Sequence, residues 1–209
     1  MEKKIDLIDK AIVYPGFFRM EKYWLKHSLY AGGLSPKISR ECLIRNDCVA
    51  VLLYDPITDE IVMIEQFRIG AMVHGKNAWL IEIVAGGIEE GEDAISVAHR
   101  EALEEAGCII QELFEIASFY TSPGCSAEWL TLFCGKVDSR QVAGIHGLKE
   151  EHEDIFVHTI HLEKAYQMLL NGEIMSAIPI IALQWLMLNK EQVKKRWTHS
   201  QASGNLTIS

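Results

Sequence analysis

The chain has 209 residues, of which 49% are hydrophobic and 23% are charged. These proportions are typical of a globular protein and exclude extended disorder. Asp and Glu total 29 against 20 Lys and Arg, so the formal net charge is −9. An acidic surface repels nucleic-acid backbones and anionic lipids, so we expect neither nucleic acid nor a membrane as a partner. A small anionic substrate would need metal ions or local arginines to offset this repulsion.

The cysteines and the apolar stretches bear on the cellular compartment. The five cysteines are an odd number without a C-x-x-C pair, so the sequence predicts neither a disulfide framework nor a zinc site. The first ten residues lack the apolar run of a secretion signal. The longest apolar stretch, residues 178–188, is interrupted by Gln184 and is too short to span a bilayer of about 30 Å. We therefore expect a cytoplasmic protein.

Hydrophobic periodicity divides the chain into three regions. Residues 1–46 mix apolar and charged positions and predict a small N-terminal β lobe of two or three half-buried strands, one of them at Ile38–Ile44. Residues 47–197 predict the main domain. The polar residues 198–209 predict a flexible tail.

Strands and helices alternate within the predicted main domain. The predicted strands cover residues 48–54, 61–66, 79–84, 113–120, 130–137 and 155–161. The predicted helices cover residues 94–107, 163–170 and 176–195. Several neighbouring strands are joined by short turns and therefore pair as hairpins. The pattern predicts the α+β class, with a mixed β-sheet sandwiched between helices.

A glycine loop and the helix after it carry the most informative residues. Ala85, Gly86 and Gly87 follow a predicted strand. Asp93 suits the N-cap of the next helix, and Gly107 suits the left-handed residue that ends it. An apolar stripe along this helix comprises Ile95, Ala98, Ala102 and Ala106. Because three of the four residues are alanine, the helix can approach its sheet closely.

On another face of this helix, Glu101, Glu104 and Glu105 occupy positions i, i+3 and i+4. One interpretation is a solvated acidic face in which Arg100 pairs with Glu104. The other is a site for a hard divalent cation, because carboxylate oxygens suit Mg²⁺ or Mn²⁺ better than zinc. The glycine loop favours the cation site, since glycines let a backbone carbonyl such as that of Ala85 turn towards the same ion.

The spacing of these residues resembles the signature of the Nudix hydrolases. Five residues separate Gly86 from Glu92, and seven separate Glu92 from Arg100. The run Glu101-Ala-Leu-Glu-Glu-Ala-Gly-Cys108 follows directly, so the signature covers residues 86–108. The resemblance implies the Nudix fold and the cleavage of a nucleoside diphosphate that is linked to another group.

The same resemblance implies roles for the residues of the signature. It implies four metal ligands, which are the side chains of Glu101, Glu104 and Glu105 and the carbonyl of Ala85. Glu101 and Glu105 would be the main ligands, Arg100 would orient the glutamates, and Glu92 would support the junction between loop and helix. The implied cofactor is Mg²⁺, with Mn²⁺ as a substitute. Such ions neutralise a pyrophosphate and lower the pKa of an attacking water.

Segments outside the signature resemble the ADP-ribose pyrophosphatases, a group within the Nudix family. Pro123 lies sixteen residues beyond Gly107, where this group carries a proline, although Ser122-Pro-Gly also fits a plain turn between strands. Further similar segments are residues 14–18, 64–68, 144–147 and 181–186. The resemblance covers most of the chain. It implies a homodimer in which the N-terminal lobe is exchanged and forms part of each active site.

The resemblance also implies five substrate contacts, which are Phe17, Arg40, Arg68, Ser122 and Glu128. Phe17 would stack on adenine, and a base stacked on an aromatic ring is worth about 1–3 kcal/mol. Arg40 and Arg68 would hold phosphates or ribose, since a guanidinium offers a planar fork of donors to oxyanions. Ser122 and Glu128 would line the terminal ribose. Two alternatives stay open: Phe17 as a core residue, and Arg40 as the surface partner of the glutamate beside it.

An acidic run, residues 149–154, precedes the last predicted strand, and such a run is commonly a solvated loop. By resemblance, Glu151 would be the general base that deprotonates the attacking water, and Glu153 would reach a metal ion. The alternative bases in the same run are Glu150, His152 and Glu153.

The sequence and the resemblance together predict hydrolysis of ADP-ribose to AMP and ribose 5-phosphate by a water that a metal ion activates. A second interpretation keeps this mechanism with another nucleoside diphosphate sugar, NADH or a flavin dinucleotide as the substrate. A third is a Nudix sensor that binds ADP-ribose without cleaving it. Such a sensor typically lacks a ligand glutamate, and Glu101, Glu104 and Glu105 are all present, which argues against it.

Overall fold

The computed structural model describes residues 2–204, with side chains except at positions 141 and 198–204. The last helix, Ala177–Gly204, extends past the predicted end at residue 195 into the stretch predicted as a tail. The final residues of that tail, 205–209, lie outside the described residues. No helix in the described part of the chain is both long and apolar enough to cross a membrane.

The chain divides into two compact units. Unit 1 contains the residues up to Cys48 together with Ser118–Leu130. Unit 2 contains Val49–Ala117 and the residues from Thr131 onward. Unit 1 thus takes in the lobe predicted over residues 1–46 and also a later segment, whose membership depends on hydrogen bonds that a linear pattern does not reveal.

Unit 1 is built on a three-stranded antiparallel sheet in the order β1-β2-β3. Its strands are β1 (Ile5–Pro15), β2 (Arg19–His27) and β3 (Ile38–Ile44). Every residue of β1 is exposed, whereas most residues of β2 are half-buried. The later segment joins the end of β3, because the Leu43 amide donates to the Cys125 carbonyl at 2.8 Å and the Ala127 amide donates to the Leu43 carbonyl at 3.0 Å.

The second sheet has eight strands. In chain order they are β4 (Cys48–Asp55), β5 (Glu60–Phe67), β6 (Trp79–Glu82), β7 (Val84–Gly87), β8 (Glu112–Tyr120), β9 (Trp129–Lys136), β10 (Gly144–His146) and β11 (Ile155–His161). The main path is β10-β11-β5-β4-β9-β8, with β6 paired to β5 and β7 paired to β4. Ile83 separates β6 from β7, so the single strand predicted over residues 79–84 is two strands with different neighbours.

Within residues 2–204, four α-helices accompany this sheet. They are α1 (Ile69–His74), α2 (Ala94–Ala106), α3 (Leu162–Leu170) and α4 (Ala177–Gly204). The predicted ends of α2 are confirmed: the Asp93 carboxylate accepts hydrogen bonds from the Ile95 and Ser96 amides at 3.0 Å, and Gly107 has a φ of 62°. The sequence did not predict α1, which has no side-chain cap and no buried residue.

Strand β4 shows why the sheet lies between helices, since all eight of its residues are buried. Alternate side chains of a strand face opposite sides of its sheet. Val49 and Val51 belong to the same core cluster as Ala102 of α2. On the other side, the ring centroid of Tyr54 lies 6.1 Å from that of Trp197 in α4. Helices therefore cover both faces of β4, and the predicted α+β class is confirmed.

Candidate active site

Helix α2 turns one of its glutamates towards the core. Its buried residues are Val97, Ala98, Ala102, Glu105 and Ala106. The predicted apolar stripe is correct at its three alanines and wrong at Ile95, which lies in the first turn and is 56% exposed. Glu105 is only 3% exposed, so its carboxyl group is shielded from solvent.

The surroundings of Glu105 raise the pKa of its carboxyl group. The Ala85 amide, in β7, donates a hydrogen bond to Glu105 Oε2 at 3.0 Å. Burial is the main cause that raises the pKa of Glu105 to about 8; the Ala85 amide opposes it. The neighbouring carboxylates of Glu101 and Glu153 raise this pKa too, whereas the Arg68 guanidinium lowers it. A bound cation would stabilise the charged form of such a carboxyl group.

Glu101 rests against the glycine loop. Burial raises its pKa, Arg100 opposes that effect and Glu104 adds to it. A Cβ atom placed on Gly86 would lie 1.9 Å from Glu101 Oε1, far inside van der Waals contact, so only glycine allows the carboxylate to lie there. Gly87 differs, because a Cβ atom there would meet nothing within 4 Å.

Arg100 contacts three glutamates of the predicted site. Its Nη1 atom lies 2.8 Å from Glu101 Oε1 and 2.9 Å from Glu104 Oε2. Its Nε atom lies 3.3 Å from Glu92 Oε1, and Glu92 also accepts a hydrogen bond from the Glu89 amide at 3.0 Å. The pair between Arg100 and Glu104 belonged to the interpretation as a solvated face. In the structure it is one part of a network that sets the orientation of several carboxylates.

The acidic run after β10 brings one of its glutamates to this site. The Glu153 carboxylate accepts a hydrogen bond from a backbone amide of the same loop at 3.0 Å. Its charge raises the pKa of both Glu101 and Glu105, so the three carboxylates are neighbours. The turn at residues 150–152, which includes Glu151, is exposed.

Arg68 directly follows β5 and is held by a residue that we did not predict. Its Nε atom lies 2.6 Å from Oε2 of Glu82, the last residue of β6. Glu82 is buried, whereas 43% of the Arg68 side chain is exposed. One signal was present in the sequence: a single charge ends the otherwise apolar strand Trp79–Glu82, and a buried carboxylate requires a partner.

Two predicted substrate contacts, Phe17 and Arg40, lie in unit 1. Phe17 is in the turn between β1 and β2 and is 97% exposed, so the alternative of a core residue is wrong. Its ring centroid lies 4.9 Å from that of Phe18. Arg40, in β3, is exposed and donates to the preceding backbone carbonyl at 2.8 Å. Glu41 instead contacts Lys22 at 3.0 Å, so the alternative pair with Arg40 is not formed among the described residues.

Glu128 is the centre of a hydrogen-bonded cluster in unit 1. Its Oε2 atom accepts from Thr121 Oγ1 at 2.6 Å. Its Oε1 atom lies 2.9 Å from Arg45 Nη1 and 3.4 Å from Cys48 Sγ. The Arg45 guanidinium lies 5.0 Å from the centroid of the Phe18 ring. These contacts hold Arg45 in place, a function of Glu128 that we did not predict, and its contact with a ribose stays a prediction.

Ser122 begins the predicted turn, since its carbonyl accepts hydrogen bonds from the Cys125 and Ser126 amides at 3.1 and 2.9 Å.

The predicted site residues fall into two groups. Those in unit 2 are Arg68, Ala85, Arg100, Glu101, Glu104, Glu105, Glu151 and Glu153. Those in unit 1 are Phe17, Arg40, Ser122 and Glu128.

Known proteins are similar to this chain in sequence and in fold. A model of the NUDIX domain matches residues 44–177. The ADP-ribose pyrophosphatase of Haemophilus influenzae is 43% identical over 202 residues, which cover 95% of this chain and 93% of that protein. The ADP-ribose pyrophosphatase of Escherichia coli strain K12 is 42% identical, and the matched residues cover 92% of this chain and 92% of that protein. The chain belongs to the Nudix family.

Other relatives of this Nudix protein differ in their named substrate. The GDP-mannose pyrophosphatase of Enterobacter sp. strain 638 is 30% identical over 190 residues, which cover 90% of this chain and 98% of that protein. The crystal structure of an ADP compounds hydrolase superposes with a TM-score of 0.69 at 18% identity, covering 91% of this chain and 97% of the other. The predicted family and the predicted Nudix fold are confirmed. The ADP-ribose pyrophosphatases of this family are metal-dependent hydrolases.

The residues of the Nudix site fit a divalent cation chemically. Among the described residues, no three His, Cys, Asp or Glu side chains are grouped so as to hold a metal ion, and Arg100 and the Ala85 amide engage the glutamates instead. The available donors are nevertheless carboxylate oxygens, which hard cations prefer. Burial and, to a smaller extent, the neighbouring carboxylates raise the pKa values of Glu101 and Glu105, and a divalent cation would stabilise the charged forms of both groups. The set of ligands stays a prediction.

Gly86→Ala tests whether the position of Glu101 matters for cation binding. The new Cβ atom would displace the Glu101 carboxylate, so we expect the affinity for Mn²⁺, measured by isothermal titration calorimetry, to fall about tenfold or more. Gly87→Ala is the matched control and should keep the wild-type affinity, because its Cβ atom meets nothing within 4 Å. Circular dichroism should show both variants folded. Equal affinities of the two variants would refute a role for the contact at Gly86.

Proposed function

We propose that this Nudix hydrolase cleaves the pyrophosphate bond of ADP-ribose and releases AMP and ribose 5-phosphate. One water is consumed: its oxygen bonds to one phosphorus atom, and the bridging oxygen leaves with the other phosphate. The observation that carries the proposal is the buried Glu105, which lies among Glu101, Glu153 and Arg68 in unit 2. Identities of 43% and 42% to two ADP-ribose pyrophosphatases, over 95% and 92% of this chain, support the choice of substrate.

We propose Mg²⁺ as the cofactor, with Mn²⁺ as a substitute, because hard cations bind carboxylate oxygens. The groups that would hold it are the side chains of Glu101, Glu104, Glu105 and Glu153 and the carbonyl of Ala85. When bound, the ion would neutralise the two phosphates and lower the pKa of the attacking water. Arg100 contacts Glu101 and Glu104 through one nitrogen atom, and thereby orients these side chains.

The substrate contacts proposed for each unit follow from exposure and charge. Arg68 is anchored through Nε by Glu82, which leaves its terminal N–H groups to donate to phosphate oxygens. Phe17 presents an exposed ring on which adenine can stack, a contact worth about 1–3 kcal/mol. The remaining proposed contacts, to ribose and phosphate, are Arg40, Ser122 and Glu128.

Glu151 is the general base that we propose. It lies on an exposed turn, two residues before Glu153. The carboxylate of Glu153 is engaged by a backbone amide at 3.0 Å and lies beside the ligand glutamates, which favours a role at the metal. Glu150 and His152 flank Glu151 on the same turn and are the alternatives to test.

The acidic surface sets limits on other partners. The net charge of −9 supports a protein that binds neither nucleic acid nor membranes. The five cysteines are unpaired in the structure, as is usual for a cytoplasmic protein. We therefore propose a cytoplasmic enzyme that acts on a small nucleotide.

An assay with four substrates tests the proposed reaction. Hydrolysis of ADP-ribose, ADP-glucose, NADH and GDP-mannose should be compared with Mg²⁺ and with EDTA. We expect the highest kcat/KM for ADP-ribose, by about tenfold or more, because contacts in a specific pocket discriminate by about 1–3 kcal/mol. EDTA should abolish turnover. Faster hydrolysis of GDP-mannose would assign the chain to that group of relatives, and binding of ADP-ribose without turnover would make it a sensor.

Glu151→Gln tests the general base. An amide cannot accept the proton of the attacking water, so kcat at saturating substrate should fall about a hundredfold. The affinity for Mn²⁺ should stay at the wild-type value, since Glu151 is not a proposed ligand. The matched controls are Glu150→Gln and His152→Gln on the same turn, and each should keep most of the wild-type kcat. A larger loss in either control would transfer the role to that residue.

We also propose that two copies of this chain associate through unit 1 to form a homodimer. Every residue of β1 is exposed, including Ile5, Leu7, Ile12 and Val13, and a patch of exposed apolar residues marks an association surface. Light scattering should give twice the mass of one chain, and Ile12→Glu should give a monomer. Ile57→Glu is the control, because Ile57 is another exposed isoleucine, in the turn between β4 and β5. A monomeric wild-type protein would contradict the proposal.

A further inference from the structure

The pairing of β3 with the loop after Ser122 places two cysteines side by side in unit 1. Leu43 and Ser126 form a parallel bridge, and the Leu43 amide donates to the Cys125 carbonyl at 2.8 Å. Cys125 lies in the turn directly before this bridge, and paired backbones lie about 5 Å apart. Cys42 and Cys125 immediately precede the bridged residues, so they are neighbours across the pair.

Two further observations bring the thiols towards each other and separate their reactivity. Burial raises the pKa of Cys42, and the Cys125 thiol and the Glu21 carboxylate raise it too, which places both groups in its neighbourhood. Cys125 is exposed, whereas Cys42 is half-buried. The amide of Cys125 donates to the Ser122 carbonyl at 3.1 Å, and its Sγ atom lies 3.4 Å from Ser122 Oγ. The backbone of Cys125 is thus held by Ser122 within the turn and by Leu43 of β3.

We propose that Cys42 and Cys125 form a modification site at which a peroxide or a low-molecular-weight disulfide produces a reversible disulfide bond. A disulfide needs Cα atoms about 4.4–6.8 Å apart, a range that includes the spacing of paired strands. The exposed Cys125 reacts first. In cytoplasmic proteins such bonds are usually transient and redox-sensing, so the site is compatible with a reducing compartment.

The reaction with hydrogen peroxide balances in two steps. The Cys125 thiol is oxidised to a sulfenic acid, and the peroxide is reduced with release of one water. The Cys42 sulfur then attacks the Cys125 sulfur, the S–S bond forms, and the hydroxyl group leaves with the Cys42 proton as a second water. Two thiols and one peroxide thus give one disulfide and two waters. With a low-molecular-weight disulfide, the Cys125 sulfur displaces one small thiol to form a mixed disulfide, and the Cys42 sulfur then displaces the second, so two small thiols are released.

The other three cysteines are poor competitors for this reaction. Cys48, Cys108 and Cys134 are buried, and burial raises the pKa of each thiol. A buried thiol of high pKa is inert towards oxidants because the thiolate is the reactive form. The cross-link would tie β3, which carries Arg40, to the loop that carries Ser122. An effect on substrate contacts through this tie rests on the proposed function, whereas the cross-link itself does not.

Mapping of disulfides in the full-length protein tests the proposal. The protein is treated with hydrogen peroxide or with oxidised glutathione, alkylated without reduction, digested and analysed by mass spectrometry. We expect a linked peptide that contains Cys42 and Cys125, that dithiothreitol removes and that runs as a single chain on a non-reducing gel. The oxidised protein should unfold at a Tm at least about 5 °C higher, since the link joins residues far apart in the chain.

Single substitutions provide the controls. Cys42→Ser and Cys125→Ser should each lose the linked peptide and the shift in Tm, while Cys108→Ala should keep both. Four outcomes in the wild-type protein would overturn the proposal: no oxidation, a sulfinic acid at Cys125, a stable mixed disulfide at Cys125 with Cys42 alkylated, or a disulfide between Cys125 residues of two chains. Because these outcomes are read in the wild-type protein, they stand even if a variant does not fold. None of them bears on the hydrolysis of ADP-ribose.

Discussion

A carboxyl group buried between a helix and a sheet is the constraint on which the site depends. Small residues such as Ala102 let α2 pack closely on its sheet, and this packing removes Glu105 from water. The rise in its pKa from 4.5 to about 8 corresponds to roughly 5 kcal/mol against the charged form. Repulsion between exposed carboxylates on one helix costs only about 0.2–0.5 kcal/mol per pair. Desolvation therefore has the larger effect on the charge of this helix, and a bound divalent cation would offset it.

The surrounding residues are arranged around this buried charge. Glycine at position 86 lets Glu101 lie against the loop, where a Cβ atom would collide with it. Arg100 contacts Glu92 of the loop and Glu104 of the helix. Arg68 is held by its ion pair with Glu82. Each of these contacts fixes the direction of a charged side chain. In the proposed reaction, these residues would bind the doubly charged pyrophosphate in a protein whose net charge of −9 would otherwise repel it.

The ends of α2 could be predicted from local chemistry, whereas contacts between residues far apart in the sequence could not. Asp93 and Gly107 mark the ends of the helix because caps depend on adjacent backbone groups. The spacing of the glutamates places them on one helix but does not show that Glu105 is buried, since burial depends on packing against strands elsewhere in the chain. The partner of Arg68 is Glu82, and Glu128 binds an arginine far away in the sequence. The periodicity of the sequence does not predict such pairs. It did not predict α1 either, because that helix has no buried residue and therefore no apolar stripe.

We propose that one divalent cation is bound by Glu101 and Glu105 together. Diffraction from crystals grown with Mn²⁺, with the ion located by its anomalous scattering, tests this claim most directly. We expect an ion with oxygen atoms of both carboxylates within about 2.5 Å, and a Glu101 side chain that has moved away from Arg100. Mn²⁺ bound only at the exposed Glu150 or Glu151, with Glu105 still paired to the Ala85 amide alone, would contradict it.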